Sequence, residues 1–260
     1  MNASDVILEA KNLRKEFGGL VAVDDVSLQV RPNTTHSIIG PNGAGKTTLF
    51  NLLTGRYRPT RGIVLYKGAD ITTVPVYRRA HLGIGRSFQI TNIFPNLTVL
   101  ENVRLAAQAL GGNNFRMLRR TESFDQYIAR AEAMLELVDL RAMAHVPANM
   151  LPHGGKRKLE LAIILAGDPE LLLLDEPTAG MASEQVPELM ATINLIREQG
   201  RKTIVLVEHN MNVVMSSSDV ITVMNYGRVL AEGTPIEIAS NPTVQSVYLG
   251  ELYDLPGKTS

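Results

Sequence analysis

The chain contains no cysteine and no tryptophan. Without cysteine no disulfide framework is possible, which fits a reducing compartment. An excess of charge of one sign is also missing: 26 basic residues meet 26 acidic ones. The total therefore does not suggest a strongly basic face for nucleic acid. No apolar run approaches the ~20 residues that span a bilayer, the longest stretches being "LAIILAG" and "LLLL". The start, "MNASDVILEAKNLRKEF", lacks the apolar core and small-residue cleavage site of a signal peptide. This pattern reads as a soluble chain, so a role at a membrane would come through a partner.

What is present is an alternation of strand and helix patterns in 260 residues, 45% of them apolar, enough for a substantial core. "VILEAKNLRKEF" and "LVAVDDVSLQV" read as two strands split by Gly18-Gly19. "TTHSII" is a third strand. A helix follows from Lys46 to Thr54, with Gly55 and Pro59 as its stop. "GIVLYKG" reads as another strand. The middle, about residues 90–160, turns helical: Thr98 and Glu101 have capping-box spacing, and Ile128, Ala131, Leu135 and Val138 share one helix face. Strands then return. "LLLLDE" and "TIVLVE" are unbroken apolar runs, as in buried parallel strands. They flank a helical stripe of Val186, Leu189, Ile193 and Ile196 that ends at Gly200. "DVITVMNYG" and "RVLAEG" form a terminal hairpin, and the tail "PGKTS" reads as disordered. The predicted class is α/β with a helical insertion.

The chemistry is concentrated at Gly40-Pro41-Asn42-Gly43-Ala44-Gly45-Lys46-Thr47-Thr48. Its first eight residues fit G-x-x-x-x-G-K-[ST], the loop that cradles phosphate between a strand and a helix. The glycines let backbone N–H groups converge on phosphate oxygens. The helix start adds its positive dipole end. Lys46 reaches the β- and γ-phosphates, and the Thr47 hydroxyl binds Mg²⁺. Phosphoryl transfer also needs a metal anchor and a group that orients water. "LLLLDEP" supplies Asp175 for the metal and Glu176 for the water, adjacent carboxylates expected on opposite sides of a strand.

With these motifs the chain closely resembles the ATP-binding subunits of ABC transporters over nearly its whole length. The resemblance implies a P-loop NTPase (RecA-like) core with an antiparallel β subdomain and a helical subdomain. The α/β core with its β subdomain would take residues 5–89 and 160–240, the helical subdomain 90–159, and a C-terminal tail 241–260. Phe17 matches the aromatic that stacks on adenine. Gln89 in "GIGRSFQ" matches the glutamine loop, a contact to Mg²⁺ or water that faces the membrane subunits. His209 in "VLVEHNM" matches the switch histidine that contacts the γ-phosphate. "LPHGGKRKLELA" stands where the family signature, usually Leu-Ser-Gly-Gly-Gln, caps ATP bound to an opposite subunit. Leu151 and Gly154 match it, Pro152 replaces the serine, His153 the first glycine and Gly155 the glutamine. Ala182 stands where the family often has Asp. A helix N-terminus still attracts anions whatever its side chains.

"EFGGLVAVDDV", "GIGRSFQITNIFPNLTVLENVRLA", "EPTAGM" and "EGTPIEIASNPTVQSVYLGE" are similar to the bacterial subfamily that powers uptake of branched-chain and related amino acids. Importers for urea and short amides share much of this pattern. The resemblance implies ATP and Mg²⁺ as cofactors and a head-to-tail partner ATPase, either a copy of this chain or a paralogue. It further implies two integral-membrane permease subunits, an extracytoplasmic solute-binding protein acting indirectly, and a peripheral place on the cytoplasmic face of a bacterial or archaeal cell membrane. No nucleic-acid partner is expected. Two other readings stand beside it: an ABC-type ATPase acting on DNA or ribosomes, and a regulatory nucleotide-binding subunit that hydrolyses weakly.

Overall fold

A computed structural model describes residues 6–87, 93–110, 122–200 and 202–252. It divides into two compact units, one of residues 1–73 and 205–260, the other of residues 74–204. No helix among the described residues is long and apolar enough to cross a membrane.

The first unit opens with β1 (Leu8–Phe17) and β2 (Leu20–Val30), antiparallel around the Gly18-Gly19 turn. With β4 (Arg61–Tyr66) and β5 (Ala69–Asp70) they form an antiparallel sheet of order β2-β1-β4-β5. Its inward residues, Leu8, Ala10, Leu13, Val23, Val26, Leu28 and Val64, are all buried. Between β2 and β4 run β3 (Thr35–Ile39) and α1 (Lys46–Leu53). All five residues of β3 are buried. β3 lies beside β9 (Val220–Asn225) in parallel, and β9 turns back antiparallel into β10 (Arg228–Gly233). The remaining helices are α7 (Met211–Ser217), α8 (Pro235–Ser240) and α9 (Pro242–Leu252). Ile39, Val214, Ile221, Val223, Ile238 and Val244 form one apolar core there.

The second unit carries α2 (Val76–His81), β6 (Ile84–Arg86), α3 (Val99–Leu110), α4 (Glu122–Leu137), α5 (His153–Leu165), β7 (Leu171–Asp175) and α6 (Val186–Gly200). Short 3₁₀ turns occupy Arg141–Met143 and Ala148–Met150. β6 pairs with β7 in parallel, Ile84 opposite Leu171. β8 (Thr203–Val207), fully buried, straddles the two units. The helical middle read from the sequence is realised as α3, α4 and α5. Asn102 of α3, 2% exposed, fixes the segment before it. Its Oδ1 accepts from the Phe94 N–H (2.7 Å), and its Nδ2 donates to the carbonyls of Phe94 (3.1 Å) and Thr98 (2.9 Å).

Candidate functional site

The first unit holds the phosphate loop, and its glycines are there for different reasons. Gly45 has φ +96°, and a Cβ on it would lie 2.4 Å from the carbonyl oxygen of Ala22 in β2. Gly40 would press a Cβ to 2.3 Å from the Met224 carbonyl in β9. Gly43, at φ +80°, has no atom within 4 Å of its Cβ position. Two glycines thus let neighbouring strands close on the loop, and the third leaves open space within it. α1 begins directly after Gly45, with Lys46 as its first residue. Lys46 is 6% exposed, and its ammonium donates to the carbonyls of Gly40 (2.7 Å) and Pro41 (3.0 Å). Ala44 is buried, while Asn42, Gly43 and Thr47 are exposed and Pro41, Gly45 and Thr48 half-buried. A backbone concavity closed by a cation and followed by a helix start is complementary to phosphate. The cradle fits the nucleotide that the sequence implies.

The strand feeding this loop carries a polar chain of its own. His36 Nε2 lies 2.7 Å from the Thr222 hydroxyl, which donates to Glu232 Oε2 at 2.6 Å. Since the hydroxyl proton goes to the carboxylate, Nε2 is the donor to Thr222. Burial pushes the imidazole below its ordinary pKa, against an opposing pull from Glu232.

Phe17 ends β1 beside the turn, 43% exposed. The ring of Tyr57 meets it at 5.4 Å and 76°. An exposed, edge-supported ring suits stacking on a flat base. Before His209, Glu208 is buried, and its Oε2 accepts from the N–H groups of His209 (2.9 Å) and Asn210 (3.3 Å). Asn210 caps α7 through Asn212 and Val213. The exposed His209 imidazole therefore stands on a backbone held from both sides. The sequence reading did not single out Glu208, although its place between a buried strand and His209 was the available signal.

The second unit holds the carboxylates and the signature-like loop. Asp175, 3% exposed, ends β7, and its N–H donates to Ser87 Oγ at 2.8 Å. The Ser87 N–H donates in turn to the Leu173 carbonyl at 2.9 Å, so Ser87, overlooked in the sequence, ties down the end of β7. Glu176 is half-buried with φ +47°. Strand alternation therefore does not set its direction, as the sequence reading supposed. The chain leaves the sheet there in a left-handed turn, of a kind that concentrates at functional sites. The carbonyl of Glu176 accepts from the Ala179 N–H at 3.0 Å, closing that turn. Gly180 follows at φ +74°, and a Cβ there would meet the His153 ring at 3.5 Å. The turn after β7 and the signature-like loop thus lie together.

Leu151 is buried, and Pro152 caps α5 in an extended conformation without a side-chain hydrogen bond. His153, Gly154 and Gly155 form the first turn of α5, whose N–H groups have no partner inside the helix. Gly154 and Gly155 would meet a Cβ no closer than 3.3 and 3.4 Å, so packing does not compel either glycine as it compels Gly45. Gln89 lies outside the described residues. Among the described residues no group of three acidic, histidine or cysteine side chains forms a metal cage. Each taken within its own unit, the Thr47 hydroxyl and the Asp175 carboxylate are hard oxygen groups of the kind Mg²⁺ takes.

Comparison with known proteins bears on this arrangement directly. The "ABC transporter" family profile matches residues 23–179, and that of the "Branched-chain amino acid ATP-binding cassette transporter" matches residues 228–254. The chain is 42% identical over 253 residues to the high-affinity branched-chain amino acid transport ATP-binding protein LivG of Escherichia coli (strain K12), covering 95% of this chain and 99% of that one. It is 35% identical to a probable branched-chain amino acid transport ATP-binding protein of Archaeoglobus fulgidus, covering 94% and 95%. Among solved structures, the ADP conformation of MJ1267, an ATP-binding cassette of an ABC transporter, superposes with a TM-score of 0.82 at 30% identity, covering 95% of this chain and 99% of that one. A dimeric, post-hydrolysis structure of the cassette MJ0796 bound to ADP and Pi gives 0.74 at 27% identity, covering 88% and 99%. With phosphate cradle, strand-end carboxylates and sequence in agreement, the chain belongs to the ATP-binding subunits of ABC transporters, in their branched-chain amino acid group.

Proposed function

We propose that this chain is the Mg²⁺-dependent ATPase subunit of an importer for branched-chain amino acids, peripheral to the cytoplasmic face of the cell membrane. The observation that carries the reading is the phosphate cradle between β3 and α1, closed by Lys46 and confined by β2 and β9, in a chain 42% identical to a branched-chain amino acid transport ATP-binding protein. Lys46 and the loop N–H groups hold the phosphates of ATP, and Phe17 receives the adenine. Thr47 and Asp175, with Gln89 by resemblance, would hold Mg²⁺, which would supply positive charge to offset that of the phosphates. Glu176 orients and polarises the attacking water, and His209 contacts the γ-phosphate. Leu151, Gly154 and Gly155 present the start of α5 to ATP held by a second ATPase subunit, a copy or a paralogue. Dimeric cassette structures among its structural neighbours support that partner. Two permease subunits receive the motion, and a solute-binding protein delivers the cargo. Closure does work because ATP favours the closed pair over the open one.

The test is uptake of labelled leucine, isoleucine, valine and urea in the native host, with Glu176→Gln at matched expression. Branched-chain uptake should fall by about 10²-fold or more, the usual worth of a positioned general base, while purified Glu176→Gln keeps its ATP affinity. Loss of urea uptake alone would overturn the cargo. Normal ATP turnover by the purified variant would overturn the role of Glu176.

A further inference from the structure

Phe17 does not stand alone at the end of β1. The ammonium of Lys15 lies 5.0 Å from the centre of its ring and 5.9 Å from that of Tyr57. Both distances are inside the range in which a cation is attracted by the ring quadrupole. The same ammonium donates to the Arg58 carbonyl at 2.9 Å, so it is held at three points. Tyr57 meets Phe17 edge to face.

The backbone repeats this connection. The Glu16 N–H donates to Thr60 Oγ1 (3.1 Å), and the Thr60 N–H donates to the Arg14 carbonyl (2.7 Å). The Tyr57 N–H donates to the carbonyl of Asn51, inside the helix that starts at the phosphate loop. One short segment, residues 57–60, therefore joins the helix behind the phosphates to the strand end that presents the aromatic ring.

From this geometry we infer that Tyr57 and Lys15 are positioning residues for the nucleotide base: they fix the ring of Phe17 so that its exposed surface is ready to stack on a purine. The inference rests on the reading of Phe17 as the base-stacking residue. Left without these neighbours, an aromatic side chain at 43% exposure would sample several rotamers, and ordering it would cost affinity at each binding event. A ring held in one orientation also discriminates by area, because a purine overlaps more of it than a pyrimidine does and gains more dispersion contact. The expected order is ATP and GTP above CTP and UTP.

The experiment measures affinities of the full-length chain for ATP and for inorganic tripolyphosphate, which has phosphates but no base. It compares wild type with Phe17→Ala, Tyr57→Leu, Tyr57→Phe and Lys15→Met, each checked for native circular dichroism. Tyr57→Leu should weaken ATP roughly three- to tenfold, the range to which an aromatic pair converts, and leave tripolyphosphate unchanged. Tyr57→Phe should restore ATP binding, and Lys15→Met should lose about twofold or more for ATP alone. Unchanged ATP affinity in Tyr57→Leu, or an equal loss for tripolyphosphate, overturns the inference while Phe17→Ala remains selective for ATP. If Phe17→Ala itself is not selective, the stacking role of Phe17 has failed and the inference falls with it, by a distinguishable result.

Discussion

Replacing Gly45 by alanine tests the account of the phosphate loop most directly. Two costs follow from the geometry at Gly45. An L-residue at φ +96° occupies sparsely populated backbone space, worth about 1–3 kcal/mol. The new methyl would also sit 2.4 Å from the Ala22 carbonyl, against a practical minimum of 3.0 Å, so backbone must move by 0.6 Å (3.0 − 2.4). Ala22 cannot yield freely, because its neighbours Val21 and Val23 are paired with Glu16 and Lys15 of β1. Overpacking of this kind adds about 1–3 kcal/mol. Gly43→Ala separates the two contributions. Its φ of +80° carries the conformational cost, but no atom lies within 4 Å to be displaced. At roughly 2–4 °C per kcal/mol for a chain of this size, Gly45→Ala should melt about 2–12 °C below Gly43→Ala. The assay is thermal unfolding of both variants without nucleotide, followed by circular dichroism. Equal melting temperatures would refute the reasoning, because β2 would then not confine the loop.

Two further predictions concern the second unit. Asn102→Ala removes four hydrogen bonds from the segment entering α3 and strands the Phe94 N–H; a loss of about 2–4 kcal/mol, read as a fall of roughly 4–16 °C in melting temperature, is expected, and a shift under 2 °C would contradict it. Asp168 is held below the usual carboxylate pKa first by its hydrogen bond from Lys202, opposed by burial and aided by the charges of Lys202 and Arg130. A depressed folded-state pKa gives stability that is present above the unfolded value, 3.8, and lost as pH falls through the folded one. Urea unfolding should therefore show Asp168→Asn slightly less stable than wild type at pH 7, with the gap closing below about pH 4; a gap constant with pH would remove the ion pair from the account. The effect is small because the carboxylate is largely solvent-exposed.

Much of this architecture is legible in the residues, and the failures have physical causes. The strands around Gly18-Gly19, the buried runs at 171–175 and 203–207 and the terminal hairpin all appear where apolar patterning places them. Gly55, at φ +80°, follows α1 as its stop, its N–H donating to the Leu52 carbonyl. The capping box read at Thr98 is half realised: the Glu101 N–H donates to Thr98 Oγ1, but the Glu101 carboxylate bonds the Arg104 guanidinium. A complete box forms instead at Thr234 and Glu237, whose T-x-x-E spacing with Pro235 was equally visible in the sequence. β6 escaped because its three residues, Ile84-Gly85-Arg86, are too few to show a period; it is defined by its pairing with β7. Of the site residues, the phosphate loop follows from local sequence alone. The twist at Glu176 and the anchoring of Asp175 by Ser87 do not, since each depends on contacts made at the end of a buried strand.

The tip of the β9–β10 hairpin carries a consequence for how this protein can be altered. The Gly227 N–H donates to the Ala44 carbonyl of the phosphate loop, and the Gly227 carbonyl accepts from the Asp24 N–H. The next residue, Arg228, binds the Asp24 carboxylate through Nε at 2.9 Å. Arg228 is also the first residue of the segment shared with branched-chain amino acid cassettes. The segment matched by the branched-chain amino acid profile thus begins on an anchor to the segment matched by the general ABC transporter profile. Grafting a foreign C-terminal segment after residue 225, or ending the chain there, would disturb the phosphate loop as well as the tail. A graft that keeps Gly227 and Arg228 would leave that scaffold in place, so chimaeras between transport systems should be joined beyond β10.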